Sequence, residues 1–248
     1  MLLELFFKKN PRFAVAFSGG VDSSYLLYAA NAAGCDVCAY FIKTEFQPAF
    51  ELEDAKQITN QLGIRLVINE YSIINEPDIT SNPPDRCYHC KTKIFTGIRK
   101  LALADGYDIL CDGTNADDDE TDRPGMRALR ELGVLSPLKI CGLDKKTIRK
   151  LSAQAQLATH DKPAYACLAT RIPAGTTITK ELVSKIEHAE NILFDMGFSD
   201  IRVRLLPPDT AKIQVTGRQW EKAAAQHSKI YEALKNTFGS IVLDLAER

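Results

Sequence analysis

A glycine-rich segment near the N-terminus constrains the fold of this chain more than any other part of the sequence. The apolar run 13–17 leads directly into residues 18–23, of sequence SGGVDS, and then into a helical pattern. The glycines allow a tight turn, and the N–H groups that open the next helix point towards an anion. The segment therefore predicts a phosphate-binding loop between a buried strand and a helix. A strand-to-helix turn that binds no ligand is the alternative.

Two common nucleotide-binding motifs do not match this segment. It lacks the Gly-Lys-Ser/Thr ending of the Walker loop, and it is not the Gly-x-Gly-x-x-Gly pattern of dinucleotide-binding folds. The phosphate loop therefore belongs to another class of nucleotide-binding protein.

Four apolar runs in the first part of the chain have the length and composition of buried strands. They cover residues 13–17, 37–42, 65–69 and 108–111. Helical patterns alternate with these runs, at residues 23–33, 51–62 and 91–104 and from an Asp144 cap to about residue 156. Such alternation is typical of a parallel sheet with helices on both faces. The sequence therefore predicts an α/β fold built on a parallel sheet.

The pattern changes after residue 160. Residues 161–177 contain two prolines and a glycine and are predicted to form an ordered loop. Thr179 is then expected to cap a helix that ends at Gly197, before strands at 201–206 and 211–216, a helix at 219–238 and a strand at 240–245. We expect a phosphate-binding domain at 1–160, an interdomain loop at 161–177 that carries Cys167, and a smaller α+β domain at 178–248 for acceptor binding and oligomerisation.

Composition excludes some classes of protein. The formal charge is -1, so no global basic excess exists to hold a long polyanion, and nucleic acid is an unlikely partner. No stretch approaches the roughly 20 apolar residues that span a bilayer. The first nine residues carry their basic charges after the apolar ones, which indicates an amphipathic helix and not a signal sequence. We expect a soluble, cytoplasmic protein.

The seven cysteines fall into two groups. Cys35, Cys38, Cys111 and Cys141 lie in or beside apolar runs and are expected to be structural thiols. Cys87, Cys90 and Cys167 lie in polar or loop-like surroundings. Cys87 and Cys90 open a predicted helix between basic neighbours, which favours thiolate. Structural zinc, with His89 or His160 as a further ligand, is one interpretation, and a [4Fe-4S] cluster with one open iron that carries an extra sulfide is the other.

The SGGVDSS segment resembles the loop of the PP-loop ATP pyrophosphatases. Members of that superfamily cleave ATP between its α and β phosphates and adenylate an oxygen of their substrate. The resemblance implies that Ser18, Gly19, Gly20 and Ser23 hold pyrophosphate and that Asp22 positions Mg²⁺. A nucleotide or Mg²⁺ role is also expected for two residues that follow strands: Thr44 after the second, and Asn115 in the acidic loop after the fourth, with Asp117 and Asp118.

Further motifs make the resemblance specific to one family. They are CYHCK at 87–91, DGTN at 112–115, DRPG at 122–125, CLATRIP at 167–173 and RVR at 202–204. Together with SGGVDSS they resemble the LarE sulfur transferases, which help to build the nickel-pincer cofactor of lactate racemase. Family members adenylate the carboxylates of pyridinium-3,5-biscarboxylic acid mononucleotide and convert them to thiocarboxylates. Some members sacrifice the sulfur of the cysteine that matches Cys167, and those that also carry the CxxC pair resemble cluster-dependent enzymes.

This chain has all three cysteines, so the cluster form is the expected one. Arg202 and Arg204 alternate along a predicted strand and share a face that suits a phosphate or carboxylate. Glu190 matches an acidic residue of the family's acceptor site, which implies that it orients the substrate or moves a proton. Arg171 is expected to offset negative charge near the cluster or the adenylate. Solvated surface charge is the alternative for the two strand arginines and for Glu190.

Several other functions stay open on the sequence alone. PP-loop enzymes with three cluster cysteines also thiolate tRNA, although the near-neutral charge gives little support for an RNA surface. An amide-forming PP-loop ligase would leave the cysteines unexplained, and a non-catalytic nucleotide sensor would release no pyrophosphate. The resemblance also implies a ring-shaped homo-oligomer such as a hexamer, to which residues 122–133 contribute. It further implies a sulfide source or sulfur-carrier partner.

Overall fold

The computed structural model describes residues 2–118 and 124–248. Its contacts divide the chain into two compact units. The first unit contains the chain up to Thr44, Ala49–Ile73 and Asp85–Lys162. The second contains Glu45–Pro48, Ile74–Pro84 and Pro163–Arg248. The functional domain limits that we expect from the sequence, at 160 and 177, remain predictions.

The secondary structure alternates in the first unit and is mixed in the second. The strands are β1 (Arg12–Ala16), β2 (Asp36–Lys43), β3 (Leu66–Glu70), β4 (Leu110–Cys111), β5 (Arg202–Leu206), β6 (Thr210–Gln214) and β7 (Ser240–Leu243). The α-helices are α1 (Leu2–Lys9), α2 (Val21–Ala32), α3 (Ala49–Leu62), α4 (Pro77–Thr80), α5 (Arg86–Ala104), α6 (Pro124–Glu131), α7 (Pro137–Ile140), α8 (Lys145–Gln154), α9 (Lys180–Asp195), α10 (Gly217–Ala225) and α11 (His227–Leu234). A short 3-10 helix covers Leu168–Arg171.

The first unit is built on a four-stranded sheet in the order β3-β2-β1-β4. Every pairing in it is parallel. Because successive side chains of a strand point to opposite faces, β1 supplies two separate cores: Phe13 and Val15 pack into one apolar cluster and Ala14 into another. Burial on both faces explains the continuous apolar runs, and the predicted α/β fold is confirmed.

Local capping explains where two of the helices begin. The Asp144 side chain accepts a hydrogen bond from the Thr147 N–H at 2.7 Å, which caps α8. Thr179 accepts from the Leu182 N–H at 3.2 Å and caps α9. Each cap satisfies one of the backbone donors that a helix start leaves without a partner.

The second unit contains a three-stranded sheet in the order β5-β6-β7, with β5 antiparallel and β7 parallel to β6. The single helix predicted at 219–238 is wrong, because the structure divides this stretch into α10 and α11 at Gln226. His227 explains the break in part, since its ring nitrogen lies 2.9 Å from the Ala224 carbonyl and binds at the end of α10.

The four cysteines in apolar surroundings behave as structural thiols. Cys38 and Cys111 are fully buried. Cys35 and Cys141 are partly exposed and pack against the apolar cluster that contains Phe13 and Val15. Burial raises the pKa of all four thiols above the usual value. A raised pKa keeps them protonated and poorly nucleophilic.

Within residues 2–118 and 124–248, none of the helices combines the length and the apolar character that crossing a bilayer requires.

Candidate active site

The predicted phosphate loop connects β1 to α2 at the carboxyl edge of the parallel sheet. Its tight turn depends on Gly19, which has a φ of 70°. A Cβ atom there would lie 2.9 Å from the Glu51 carbonyl oxygen of α3, so a larger residue would be both strained and in collision. Gly20 is the N-cap of α2 and has no side chain with which to cap this helix start. The open N–H groups are suited to an anion.

Hydroxyl groups hold the loop in this shape. The Ser18 and Ser23 hydroxyls lie 3.1 Å apart, and the Ser23 hydroxyl donates to the Gly20 carbonyl at 3.3 Å. The Gly20 N–H donates to the Ser18 hydroxyl, also at 3.3 Å. Hydrogen bonds within the protein therefore contribute to the shape of the loop.

Asp22 in the first turn of α2 has one oxygen that the protein uses and one that it does not. Its Oδ2 accepts from the Lys145 ammonium at 2.6 Å and from the Asn115 amide at 3.3 Å. Its Oδ1 is buried and has no hydrogen-bond partner among the described residues. A buried carboxylate oxygen without a partner is costly, and a hard cation such as Mg²⁺ is the group that carboxylate and phosphate oxygens bind together.

The acidic loop after β4 joins the start of α2 to the start of α8. The Asn115 Oδ1 accepts from the Asp117 N–H at 2.8 Å, while the Asn115 N–H donates to Asp118 at 3.1 Å. The Asp117 carboxylate in turn accepts from the Lys145 N–H at 2.8 Å. The structure thus brings Asn115 to Asp22 and uses Asp117 and Asp118 to hold the loop.

Lys145 is a candidate site residue that we did not identify from the sequence. It lies in the first turn of α8, where a cation opposes the helix dipole and is normally unfavourable. This unfavourable position is the sequence signal that could have identified Lys145 as a site residue. Its partner Asp22 is 123 residues away in the sequence, and no local pattern could supply the pairing.

Thr44 directly follows β2 and is buried, with 3% of its surface exposed. It lies at the same carboxyl edge of the sheet as the phosphate loop, since β1 and β2 are parallel. Its expected role in nucleotide binding stays a prediction.

The cysteines with an expected sulfur role lie in both units. α5 begins at Arg86, so Cys87 lies in its first turn and Cys90 at the start of the second, three residues apart on one side of the helix. Cys87 is exposed and Cys90 is partly exposed, while Cys167 is partly exposed at the start of the 3-10 helix in the second unit. In the described ranges no group of three or more His, Cys, Asp or Glu side chains is arranged to hold a metal ion.

A buried ion pair lies at the centre of the second unit. Arg171 and Glu190 are 1% and 0% exposed. The Arg171 Nε and Nη2 donate to the two carboxylate oxygens of Glu190 at 2.8 and 3.1 Å. Glu190 also accepts from the Val203 N–H at 2.8 Å and from the Tyr165 hydroxyl. The protein therefore satisfies both oxygens of this carboxylate.

Three arginines hold the segment that carries Cys167. Arg171 donates to the carbonyls of Ala166 at 2.9 Å and Cys167 at 3.4 Å, and Arg204 donates to the Thr170 carbonyl at 2.7 Å.

The third arginine, Arg202, donates to the Ala164 carbonyl at 2.6 Å. It is buried, and burial together with the neighbouring Arg171 lowers its pKa to about 10. The guanidinium still carries its charge at neutral pH, because that value lies well above 7. Arg202 and Arg204 alternate along β5, as predicted, and both bond to the Cys167 segment.

Asp122 and Arg123 of the predicted DRPG stretch lie outside the described residues, while Pro124 and Gly125 open α6.

Comparison with known proteins supports the family resemblance that the sequence motifs indicate. A family model for the tRNA methyl transferase HUP domain matches residues 11–131. The pyridinium-3,5-bisthiocarboxylic acid mononucleotide synthase of Lactiplantibacillus plantarum is 30% identical over 210 residues, which cover 84% of this chain and 76% of that protein. An uncharacterized protein of Synechocystis sp. is 36% identical over 203 residues, 82% of this chain and 76% of the relative. The tRNA-specific 2-thiouridylase MnmA of Hahella chejuensis is 28% identical over 190 residues, 62% of this chain and 52% of that enzyme.

The parallel sheet, the SGGVDS loop and the matching HUP model define a PP-loop enzyme, a class that uses ATP. Within that class, the relatives show that the chain belongs to the LarE family of sulfur transferases. It is therefore an ATP-using sulfur transferase, as the sequence motifs predicted.

Proposed function

We propose that this enzyme converts carboxylates of pyridinium-3,5-biscarboxylic acid mononucleotide to thiocarboxylates, a step of nickel-pincer cofactor synthesis. The observation that carries the ATP half of this proposal is the phosphate loop with the buried Asp22 Oδ1, which has no hydrogen-bond partner in the part of the chain that the structure describes. The acceptor is inferred from the relative that is a pyridinium-3,5-bisthiocarboxylic acid mononucleotide synthase.

In the first half-reaction a carboxylate oxygen of the acceptor attacks the α phosphorus of ATP, and pyrophosphate leaves. The Ser18 and Ser23 hydroxyls and the N–H groups that follow Gly20 would bind the departing pyrophosphate. Asp22 would hold Mg²⁺ through its Oδ1, and Lys145 would neutralise charge on the same carboxylate or on the phosphates. The product is an acyl adenylate, in which AMP is a good leaving group.

In the second half-reaction sulfide attacks the carboxyl carbon, and AMP leaves with the original carboxylate oxygen. Arg202 and Arg204 are proposed to bind the phosphate or the second carboxylate of the acceptor, through N–H donors other than those bonded to the Ala164 and Thr170 carbonyls. Glu190 would serve as a positioning residue and not as a proton carrier, since Arg171, Tyr165 and Val203 already use its oxygens.

We further propose that Cys87, Cys90 and Cys167 hold a [4Fe-4S] cluster. Thiolates are the ligands that such clusters require, and the pair lies near the start of α5, with Cys87 exposed and Cys90 partly exposed. When bound, the cluster would supply the sulfur that the acceptor receives. Sacrificial donation of the Cys167 sulfur is the second candidate, and the CxxC pair argues against it.

Thiolation of tRNA is a rival function favoured by two comparisons. The matching family model carries a tRNA methyl transferase name, and MnmA is a tRNA-specific 2-thiouridylase. The formal charge of -1 argues against a surface for a polyanion. We propose that residues 178–248 serve as the acceptor and oligomerisation domain and that the chain assembles into a homo-oligomeric ring.

The proposed function is tested with protein purified without oxygen and analysed for iron, sulfide and zinc. It is then incubated with ATP, Mg²⁺, sulfide and either the pyridinium mononucleotide or unmodified tRNA. We expect iron and sulfide in the protein, acceptor-dependent release of pyrophosphate, and a pyridinium product in which sulfur replaces oxygen. Thiolated tRNA with an unchanged pyridinium compound would contradict the proposed acceptor. Iron-free protein that reacts once and loses the Cys167 sulfur would contradict the cluster.

A further inference from the structure

The segment that leads to Cys167 has an unusual means of support. Residues 162–167 form neither helix nor strand. Their carbonyls are instead bonded to buried arginines: Ala164 to Arg202 at 2.6 Å, and Ala166 to Arg171 at 2.9 Å. The position of the Cys167 backbone therefore depends on where these two guanidinium groups are held.

Tyr165 lies between these two bonded carbonyls and contacts both arginines. The Arg171 guanidinium carbon lies 4.5 Å from the centre of its ring, and that of Arg202 lies 4.7 Å from it. The Tyr165 hydroxyl donates to Glu190, which also binds Arg171. A cation over an aromatic face is attracted by the ring, most strongly where water is excluded.

The two arginines repel each other, and this repulsion contributes to the lowered pKa of Arg202. The electron-rich face of Tyr165 offsets part of the repulsion, because it attracts both charges. Burial and Glu190 raise the pKa of Tyr165, so its hydroxyl stays protonated and remains a donor.

We infer that Tyr165 is a positioning residue for sulfur transfer, whose ring holds Arg171 and Arg202 in the arrangement that fixes the Cys167 segment. This inference rests on the proposed function, in which Cys167 takes part in delivering sulfur.

Substitution separates the ring from the hydroxyl. Tyr165→Leu removes both, Tyr165→Phe keeps the ring, and Tyr231→Phe is the matched control because Tyr231 is 55% exposed on α11. The rate of Cys167 alkylation by iodoacetamide is read from the Cys167 peptide by mass spectrometry, in samples matched for iron and zinc. We expect a rate about tenfold higher in Tyr165→Leu, and within about twofold of wild type in Tyr165→Phe and in the control.

Kinetics supply a second readout. In Tyr165→Leu the kcat for thiolation should fall about tenfold while the KM for ATP is unchanged, because the phosphate loop belongs to the other unit. If Tyr165→Leu does not fold, Tyr165→Met carries the same expectations, since its flexible side chain fills the space without a ring. The inference would be overturned if Cys167 of the folded Leu or Met variant were alkylated at the wild-type rate. It would also be overturned if Cys167 of Tyr165→Phe were alkylated as fast as that of Tyr165→Leu.

The alkylation measurement needs no acceptor. Wild-type protein that fails to thiolate the pyridinium compound would therefore remove the proposed function, while the alkylation rates would still decide the role of Tyr165.

Discussion

Asp22 in the first unit and Glu190 in the second are carboxylates at the centres of their sites, but their surroundings differ. Asp22 has one oxygen without a hydrogen-bond partner among the described residues, whereas both oxygens of Glu190 are bonded. Asp22 therefore has a buried oxygen that a ligand can bind, whereas groups of the protein bond both oxygens of Glu190. One buried carboxylate of this enzyme is therefore open to a ligand, while the other serves the internal structure of the second unit.

The largest expected effect is on catalysis, at the incomplete site. Asp22→Asn keeps the size of the side chain but removes the charge that would hold Mg²⁺, so AMP and pyrophosphate formation should fall by about a thousandfold. The melting temperature and the iron or zinc content should not change. Pyrophosphate release is measured for this variant and for Asp195→Asn, a control on the exposed end of α9. Coupled loss of activity and bound metal would contradict the separation of the two sites.

The next effect is on stability, at the complete site. Glu190→Gln leaves the buried Arg171 charge without its partner, and we expect the free energy of unfolding to fall by about 3 kcal/mol. Urea denaturation measures the change, with Glu221→Gln on the exposed face of α10 as the control. A Glu190 variant as stable as its control would show that the ion pair of Glu190 with Arg171 does not stabilise the second unit.

Lys145 provides a third test, because it bonds to Asp22 without completing that carboxylate. Lys145→Ala should weaken ATP binding about thirtyfold through loss of one charge-assisted contact. Lys146→Ala, at the exposed neighbouring position, should leave binding unchanged. Titration calorimetry with ATP and Mg²⁺ measures both affinities. Equal affinities in the two variants would restrict Lys145 to a structural contact with Asp22.

The smallest expected effect concerns acid stability in the second unit. Hydrogen bonds from Lys212 and Gln214 lower the pKa of Asp244 to about 2, from an ordinary value of 3.8. Its stabilising contribution is therefore present above the ordinary value and is lost as the pH falls towards about 2. The stability advantage of wild type over Asp244→Asn, measured by urea midpoints, should shrink across that window. A difference in urea midpoint that stays constant with pH would show that ionised Asp244 does not stabilise the protein.

The sequence predicted the elements whose signals are local. Buried strands such as β1 and β2 are apolar on both faces, and Asp144 and Thr179 lie at the helix starts that they cap. Gly19 was recognisable because the turn needs a residue that tolerates positive φ. For these reasons the α/β fold and the phosphate loop could be predicted with elementary rules.

Contacts between distant residues could not be predicted. The partners of Asp22 and Arg171 are 123 and 19 residues away, and charge alone does not select them from 31 basic and 32 acidic residues. The break at Gln226 depends on a side-chain contact of His227 that competes with the helix. The sequence also gave no sign that Ile74–Pro84 belongs to the second unit.

The most direct test of the account separates activation from sulfur transfer with one substitution, Cys167→Ser. In a single turnover with ATP, Mg²⁺, sulfide and the pyridinium mononucleotide, AMP and pyrophosphate formation should stay within about threefold of wild type, because the phosphate loop lies in the other unit. No thiocarboxylate should form, whereas Cys141→Ser, at a structural thiol, should behave as wild type. Thiocarboxylate formed by Cys167→Ser at the wild-type rate would contradict the proposal that sulfur delivery depends on Cys167.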